Sequence, residues 1–228
     1  MDFLKYIYCS LIVFLFTILF SYGQDEEMYA PVKEKVPLEL KGLKFGLNVG
    51  RFSDYLFKPE RVSYETSFDF NLNHKYFGVF EAGYSEIELK KDNYHYLSDG
   101  YFLKLGMDYN MLKKYPSDFL GIGIRFGWAD FNQSASNIII DANHWSAYTT
   151  SINPESLNTY WLEASFGIKG EIFKNVYFGW SALLKIRVAG GKNLNVQPYD
   201  IPGYGNSTKG INLGANYYIY YQIPFNRK

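Results

Sequence analysis

The sequence predicts an all-β protein: a single eight-stranded antiparallel up-and-down transmembrane β-barrel. Three observations predict it. From Leu43 onward, apolar and polar residues alternate in eight runs, most of them 9 to 13 residues long. A tilted strand needs about that length to cross hydrocarbon, whereas strands in soluble sheets are nearer 5 or 6 residues. The connections between runs alternate short and long, as in a meander with one end on each side of a membrane. Aromatic residues make up 20% of the 228-residue chain, with 22 Tyr, 19 Phe and 4 Trp. Cores do not need so much Tyr, but a membrane–water boundary does.

Residues 1–23 read as a secretory signal peptide. Lys5 supplies its basic end, Tyr6 to Phe20 an apolar stretch of 15 residues, and Ser21-Tyr22-Gly23 the small residues before a cut ahead of Gln24. Fifteen apolar residues are too few for a helical span, which takes roughly 20. Residues 24–41 carry charges, Pro31 and Pro37, and no amphipathic period, which is the composition of a polar periplasmic linker. The barrel is expected over 42–225.

The first strand sets Leu43, Phe45, Leu47 and Val49 against Lys44, Gly46, Asn48 and Gly50. The second sets Tyr64, Thr66, Phe68, Phe70 and Leu72 against Glu65, Ser67, Asp69 and Asn71. The third opposes Phe80, Ala82 and Tyr84 to Val79, Glu81, Gly83 and Ser85. In the fourth, Tyr101, Leu103, Leu105, Met107 and Tyr109 oppose Lys104, Gly106, Asp108 and Asn110. The fifth sets Leu120, Ile122, Ile124, Phe126 and Trp128 against Gly121, Gly123, Arg125 and Gly127. The sixth sets Tyr160, Leu162, Ala164, Phe166 and Ile168 against Glu163, Ser165, Gly167 and Lys169. The seventh has Phe178, Trp180, Ala182, Leu184 and Ile186 opposite Gly179, Ser181, Lys185 and Arg187. The eighth runs from Ile211 to Ile223 with Asn212, Gly214, Asn216, Tyr218, Tyr220 and Gln222 on its second face. Short connections follow the second, fourth and sixth strands, around His74, around Lys113 to Pro116, and at Lys174-Asn175. Longer connections are expected over 130–158 and 189–209.

Alternation alone does not say which face is outside, and a soluble lipocalin-type barrel would turn its apolar face inward. Lipid is favoured by the small polar face, rich in Gly, Ser and Asn, which suits a narrow lumen. The aromatics near strand ends (Tyr64, Tyr101, Trp128, Tyr160, Phe178, Trp180) suit two interfacial girdles. With that phase, the lumen holds the acids Glu65, Asp69, Glu81, Asp108 and Glu163 and the bases Lys104, Arg125, Lys169, Lys185 and Arg187. Charges in a narrow, low-dielectric tube are costly unless paired, and equal numbers permit pairing. The sixth-to-seventh fold brings Glu163 beside Lys185, with Arg187 a rung away. Asp69 and Glu81 need a base from across the lumen, for which Arg125 or Lys104 is placed. Glu65 and Lys169 are expected to reach water at the barrel mouths. The lumen is therefore expected to be plugged, and Gly106→Ser on its face to be milder than Leu105→Arg on the lipid face.

The last strand closes on Tyr217, Ile219, Tyr221, Ile223 and Phe225, an alternation that looks like the assembly signal of outer-membrane barrels. Asn226-Arg227-Lys228 follow the Phe, where many such proteins stop. Several stretches together resemble a family of small outer-membrane β-barrels of the Bacteroidota known as a domain of unknown function. They are Ser98-Asp99-Gly100-Tyr101-Phe102-Leu103-Lys104-Leu105-Gly106-Met107-Asp108-Tyr109-Asn110, Gly123-Ile124-Arg125-Phe126-Gly127, Trp161-Leu162-Glu163, the run from Lys174-Asn175 to Gly179-Trp180-Ser181, Ile201-Pro202-Gly203-Tyr204-Gly205, and Ile223-Pro224-Phe225. The resemblance implies an outer-membrane barrel and carries over no activity.

Composition narrows the function classes. Lys+Arg and Asp+Glu are 23 each, and a neutral chain without a basic block has no electrostatic draw to nucleic acid. The one cysteine, Cys9, lies in the leader, so no mature disulfide or thiol chemistry is expected. Three scattered histidines make no metal-ligand spacing, and no cofactor is expected. His95 and His144, with Asp99 and Asp141 nearby, are the outer-loop candidates for a lipid-active enzyme, but they form no motif. The expectation is a non-enzymatic outer-membrane barrel, structural or binding a ligand or partner through its outer loops. Its partners would be membrane lipid and the barrel assembly machinery. A small-solute channel is the alternative, followed by a lipid-active enzyme.

Overall fold

The computed structural model describes residues 42–51, 60–73, 75–112, 118–142, 145–190 and 197–223. The leader, the linker, His74, His144, the Lys113 to Pro116 turn and Phe225 lie outside them. So do the side chain of Asp141 and those around it.

Eight long strands form the fold: β1 (Gly42–Asn48), β2 (Arg61–Asn71), β3 (Tyr76–Lys91), β4 (Tyr94–Asn110), β5 (Phe119–Ala142), β6 (Trp145–Phe173), β7 (Val176–Gly190) and β10 (Ile211–Ile223). Two short strands, β8 (Asp200–Ile201) and β9 (Gly205–Asn206), pair with each other inside the last connection. The long strands pair antiparallel in chain order, and β1 closes the ring by pairing with β10 on one side and β2 on the other. Closure leaves no edge to template aggregation.

Gly42 lies opposite Asn71 and Leu43 opposite Ile223, so both ends of the ring's chain sit at one end of the barrel, with the β2–β3 and β6–β7 turns. The latter is the two-residue turn Lys174-Asn175. Asn175 takes φ 66° there, a left-handed conformation that Asn accepts more readily than other non-glycine residues. This is the turn end, and the opposite end is the hairpin end.

The hairpin end departs from expectation. Residues 130–158 are not a loop: β5 reaches Ala142 and β6 starts at Trp145, in strands of 24 and 29 residues. Likewise β3 and β4 run on to a tight turn at Asp92-Asn93. The polar run Asn132 to Asn137 hid this, because a ladder of backbone hydrogen bonds needs no apolar side chains outside the barrel body. Register shifts beyond Gln133 also break the alternation that marks a strand.

Through the barrel body the two faces follow the sequence period. Leu105, Ile124 and Leu213 are 67%, 71% and 83% exposed, whereas Asp69, Lys104 and Asp108 are each 1% exposed. The apolar face is outside and the charged face inside, the reverse of a soluble barrel. Tyr rings bracket the outer band: Tyr76 packs on Tyr109 with centroids 5.6 Å apart towards the turn end, and Tyr84 on Tyr101 at 5.0 Å towards the hairpin end. Eight residues of strand, about 26 Å, separate the two pairs.

Candidate functional site

The lumen is filled in three layers. At the turn end, buried Tyr177, Tyr218 and Tyr220 form an aromatic floor, with Lys44 Nζ 3.6 Å from the Tyr177 ring centre. Each ring enters because period two on β7 and β10 points it inward. At the hairpin end, Phe102, Ala129, Phe131, Trp161, Ile201 and Tyr204 pack as an apolar roof. Ile201 and Tyr204 come from the β8–β9 segment, which folds into the mouth as a cork. The cork is tied by Arg61 to Asp200 at 2.6 Å, Lys185 to the Gly203 carbonyl at 2.7 Å, and Arg187 to the Ser207 carbonyl at 2.7 Å.

Between floor and roof the charges form one chain of alternating sign. Arg51 Nε bonds Glu65 at 3.0 Å, and Glu65 also accepts from Lys104 at 2.7 Å. Lys104 donates to Glu81 at 2.8 Å, and Glu81 accepts from Arg125 Nε at 3.0 Å. Arg125 reaches Asp108 at 3.2 Å, Asp108 faces Lys169 at 3.4 Å, and Lys169 ends the chain on Asp69. Side bonds complete it: Asn48 to Glu65 at 3.1 Å, Ser67 to Asp69 at 2.6 Å, and Arg125 to Ser165. Every step sets unlike charges together, so burial of each inner member is offset by two neighbours and of each end member by one.

The expected residues thus lie inside, but several partners differ. Glu65 and Lys169 do not reach water: both are buried, because partners of opposite sign stand closer than either mouth. Glu163 and Lys185 are opposite each other in register. Even so, Lys185 donates to the cork, and Glu163 has Lys104 at 3.7 Å. Some partners are register neighbours, as Lys104 and Glu81 are, but Lys169 reaches Asp69 across the lumen and Lys185 turns to a backbone carbonyl. Glu81 takes both Lys104 and Arg125, whereas Asp69 takes Lys169 instead of either. Arg187 stands half-buried at the cork, outside the chain of charges.

Sequence reasoning missed Lys44, Arg51 and the cork. Lys44 was legible, since it shares the inward face of β1. Ile201 and Tyr204 were not, because a Gly- and Pro-rich segment carries no period to say that it turns inward. Small residues make the packing possible. A β-carbon at Gly127 would sit 2.1 Å from the Trp161 indole, and one at Gly123 1.9 Å from Asp108 Oδ1.

His95 Nε2 lies 3.0 Å from Glu88 Oε1 near the β3–β4 tip, and Asp99 stands exposed. Hydrogen bonds from Lys90 and then His95 hold the Glu88 carboxyl below its ordinary range. Among the described residues, no group of three His, Cys, Asp or Glu is placed to hold a metal ion.

A family profile described as "Domain of unknown function (DUF6048)" matches residues 3–228, and the chain belongs to that family. Among curated proteins, no relative matches it.

Proposed function

We propose that the protein is an outer-membrane β-barrel with a lumen closed by paired charges, and that its role is non-enzymatic: structural, or binding at the hairpin end. The observation that carries this reading is the inversion of the faces. A band of exposed Leu, Ile, Phe and Met between two sets of Tyr is costly in water and matches hydrocarbon between two interfaces. The charged network on the other face is compatible with that surrounding because it is internally compensated.

In this reading residues 1–23 are the export signal, and the turn end faces the periplasm with the linker 24–41. The hairpin end projects outside. The closing residues Tyr217 to Phe225 engage the assembly machinery. The filled lumen weighs against a solute channel, since floor, charges and roof each obstruct the path.

Fractionation and gel migration test it. The protein is expected with outer membranes and to migrate differently before and after boiling, as closed barrels do. Recovery as a soluble periplasmic monomer would overturn it.

A further inference from the structure

Towards the hairpin end the inner face of β3–β6 changes character. In the barrel body those strands point Glu81, Lys104, Arg125 and Glu163 inward. Beyond the roof, one continuous rung reads Leu89, Tyr96, Ala135 and Ile152, each opposite the next across the sheet. Leu89, Tyr96 and Ala135 are buried with Ile87 as a second apolar cluster, remote from the ion chain. Pro198 and Tyr199 of the cork segment close over them. Tyr199 sits edge-on to Tyr96 at 6.4 Å, and its backbone N–H donates to the Tyr96 hydroxyl at 3.3 Å.

These walls do not meet. They leave between them a cavity of about 380 Å³ that is partly open to solvent. Protein interiors are close-packed, and apolar space of this size is what ligand sites look like. We propose that this cavity binds a neutral, mainly apolar, ring-bearing small molecule of about two fused rings, carrying one hydrogen-bonding group.

Each part of that description has a source. Among the described residues, no Asp, Glu, Lys or Arg lines the cavity, although such residues make up 20% of the chain, so a charged ligand would enter without a counter-ion from them. The volume is roughly two and a half times that of a cavity known to take benzene, about 150 Å³. The rings of Tyr94, Tyr96 and Tyr199 offer faces and edges to a flat molecule. The amides of Gln197 and Asn206 line the same space and can pair with one polar group. The inference deepens the binding role proposed above, and rests on it only for the ligand's source outside the cell.

The test uses the full-length protein folded in phosphatidylcholine nanodiscs and 4-hydroxybenzophenone, a neutral photoprobe of two separate rings with a ketone and a hydroxyl. The fused-ring competitor, with one hydroxyl, is 2-naphthol. Labelled peptides are mapped by mass spectrometry. Saturable labelling within 87–97 and 197–208, displaced by 2-naphthol, is expected. Ala135→Leu in the wall and Thr208→Trp at the exposed rim should each weaken it by at least about tenfold. Thr208→Trp keeps the test decisive if Ala135→Leu fails to fold. Labelling confined to the outer band around Leu105 and Ile124 and not saturating would mean partition into lipid only, and would overturn the site. So would pocket labelling indifferent to both substitutions, or no labelling because the chain itself fills the space. Pocket labelling of a protein that fractionates as soluble would uphold the site while removing its membrane setting.

Discussion

Lys169 on β6 bonds Asp69 on β2, and those strands stand four apart in a ring of eight. The ion pair therefore spans the lumen along its diameter. Phe119 and Tyr220 flank the ammonium with ring centres at 4.9 and 5.1 Å, which favours the cation further. A bridge from wall to wall does two things at once. It cross-links opposite sides of the barrel, and it stands in the path of anything moving along the axis.

Removing one member of such a buried chain should cost more than the pair itself contributes, because its neighbours are left uncompensated. Lys169→Met keeps the stem and deletes the charge, stranding Asp69 and weakening the field on Asp108. The expected loss is about 3–5 kcal/mol in urea unfolding from lipid vesicles. Lys169→Met with Asp69→Asn should recover much of it, since Asp108 retains Arg125. Arg125→Ala leaves Glu81 with Lys104 alone and Asp108 with Lys169 alone, and should destabilise by a similar amount.

Wild-type protein in a planar bilayer should show negligible steady conductance. The ionic chain has no break between Arg51 and Asp69, and the cork and the aromatic floor close the two ends. Large, stable open channels would put the channel reading ahead of the plugged barrel.

The strand phase, and with it every inward charge, was legible because alternation is a local property that closure of the ring does not alter. Ion-pair partners were legible only in part: Glu81 takes Lys104 and Arg125 as expected, whereas Asp69 takes Lys169. Glu163 and Lys185 are neighbours by register, yet Lys185 turns to the Gly203 carbonyl. The choice depends on what lies across the lumen, which a one-dimensional pattern does not encode. The extension of β5 and β6 was hidden because register shifts beyond Gln133 break the period and the run from Asn132 to Asn137 is mostly polar.

Leu105 stands midway between Tyr101 and Tyr109 on the exposed face. Leu105→Arg should cost about 2–4 kcal/mol in folding into lipid, as for a charge at mid-depth. Gly106→Ser, which inward placement alone would pass as mild, should also destabilise. A β-carbon there would lie 2.2 Å from the Ile124 carbonyl oxygen and 2.6 Å from the Arg125 side chain. Asn216→Ser, inward but with no β-carbon to create, is the milder lumen change. Equal folding of Leu105→Arg and Asn216→Ser would contradict the outward placement of Leu105 in lipid.

The β3–β4 tip should titrate late on acidification. With Glu88 held low by Lys90 and then His95, its carboxylate contacts persist above the ordinary carboxyl range. They are lost only as pH falls through the lowered value. Carboxyl-carbon NMR should show a midpoint below that of a free Glu, and Lys90→Ala should move it up.

The cork offers the sharpest separation of its role from that of the ion chain. Gly203 takes φ +73°, and a β-carbon there would also lie 2.6 Å from the Phe102 ring. Gly203→Ala is therefore strained twice, by backbone conformation and by contact. The relief available is to lift the segment 197–210 out of the mouth. That would take Ile201 and Tyr204 from the roof, cut the Lys185 bond to the Gly203 carbonyl, and leave the Trp161 indole without Tyr204, whose ring centre is 5.9 Å away. Arg61 and Arg187 of the wall would lose their ties to the cork, but the strand pairing and the Arg51-to-Asp69 chain keep their own contacts. Gly203→Ala should accordingly increase protease cutting within 197–210 in intact vesicles, while heat-modifiable migration and the absence of conductance are retained. A conducting Gly203→Ala barrel would make the cork, and not the paired charges, the element that closes the lumen.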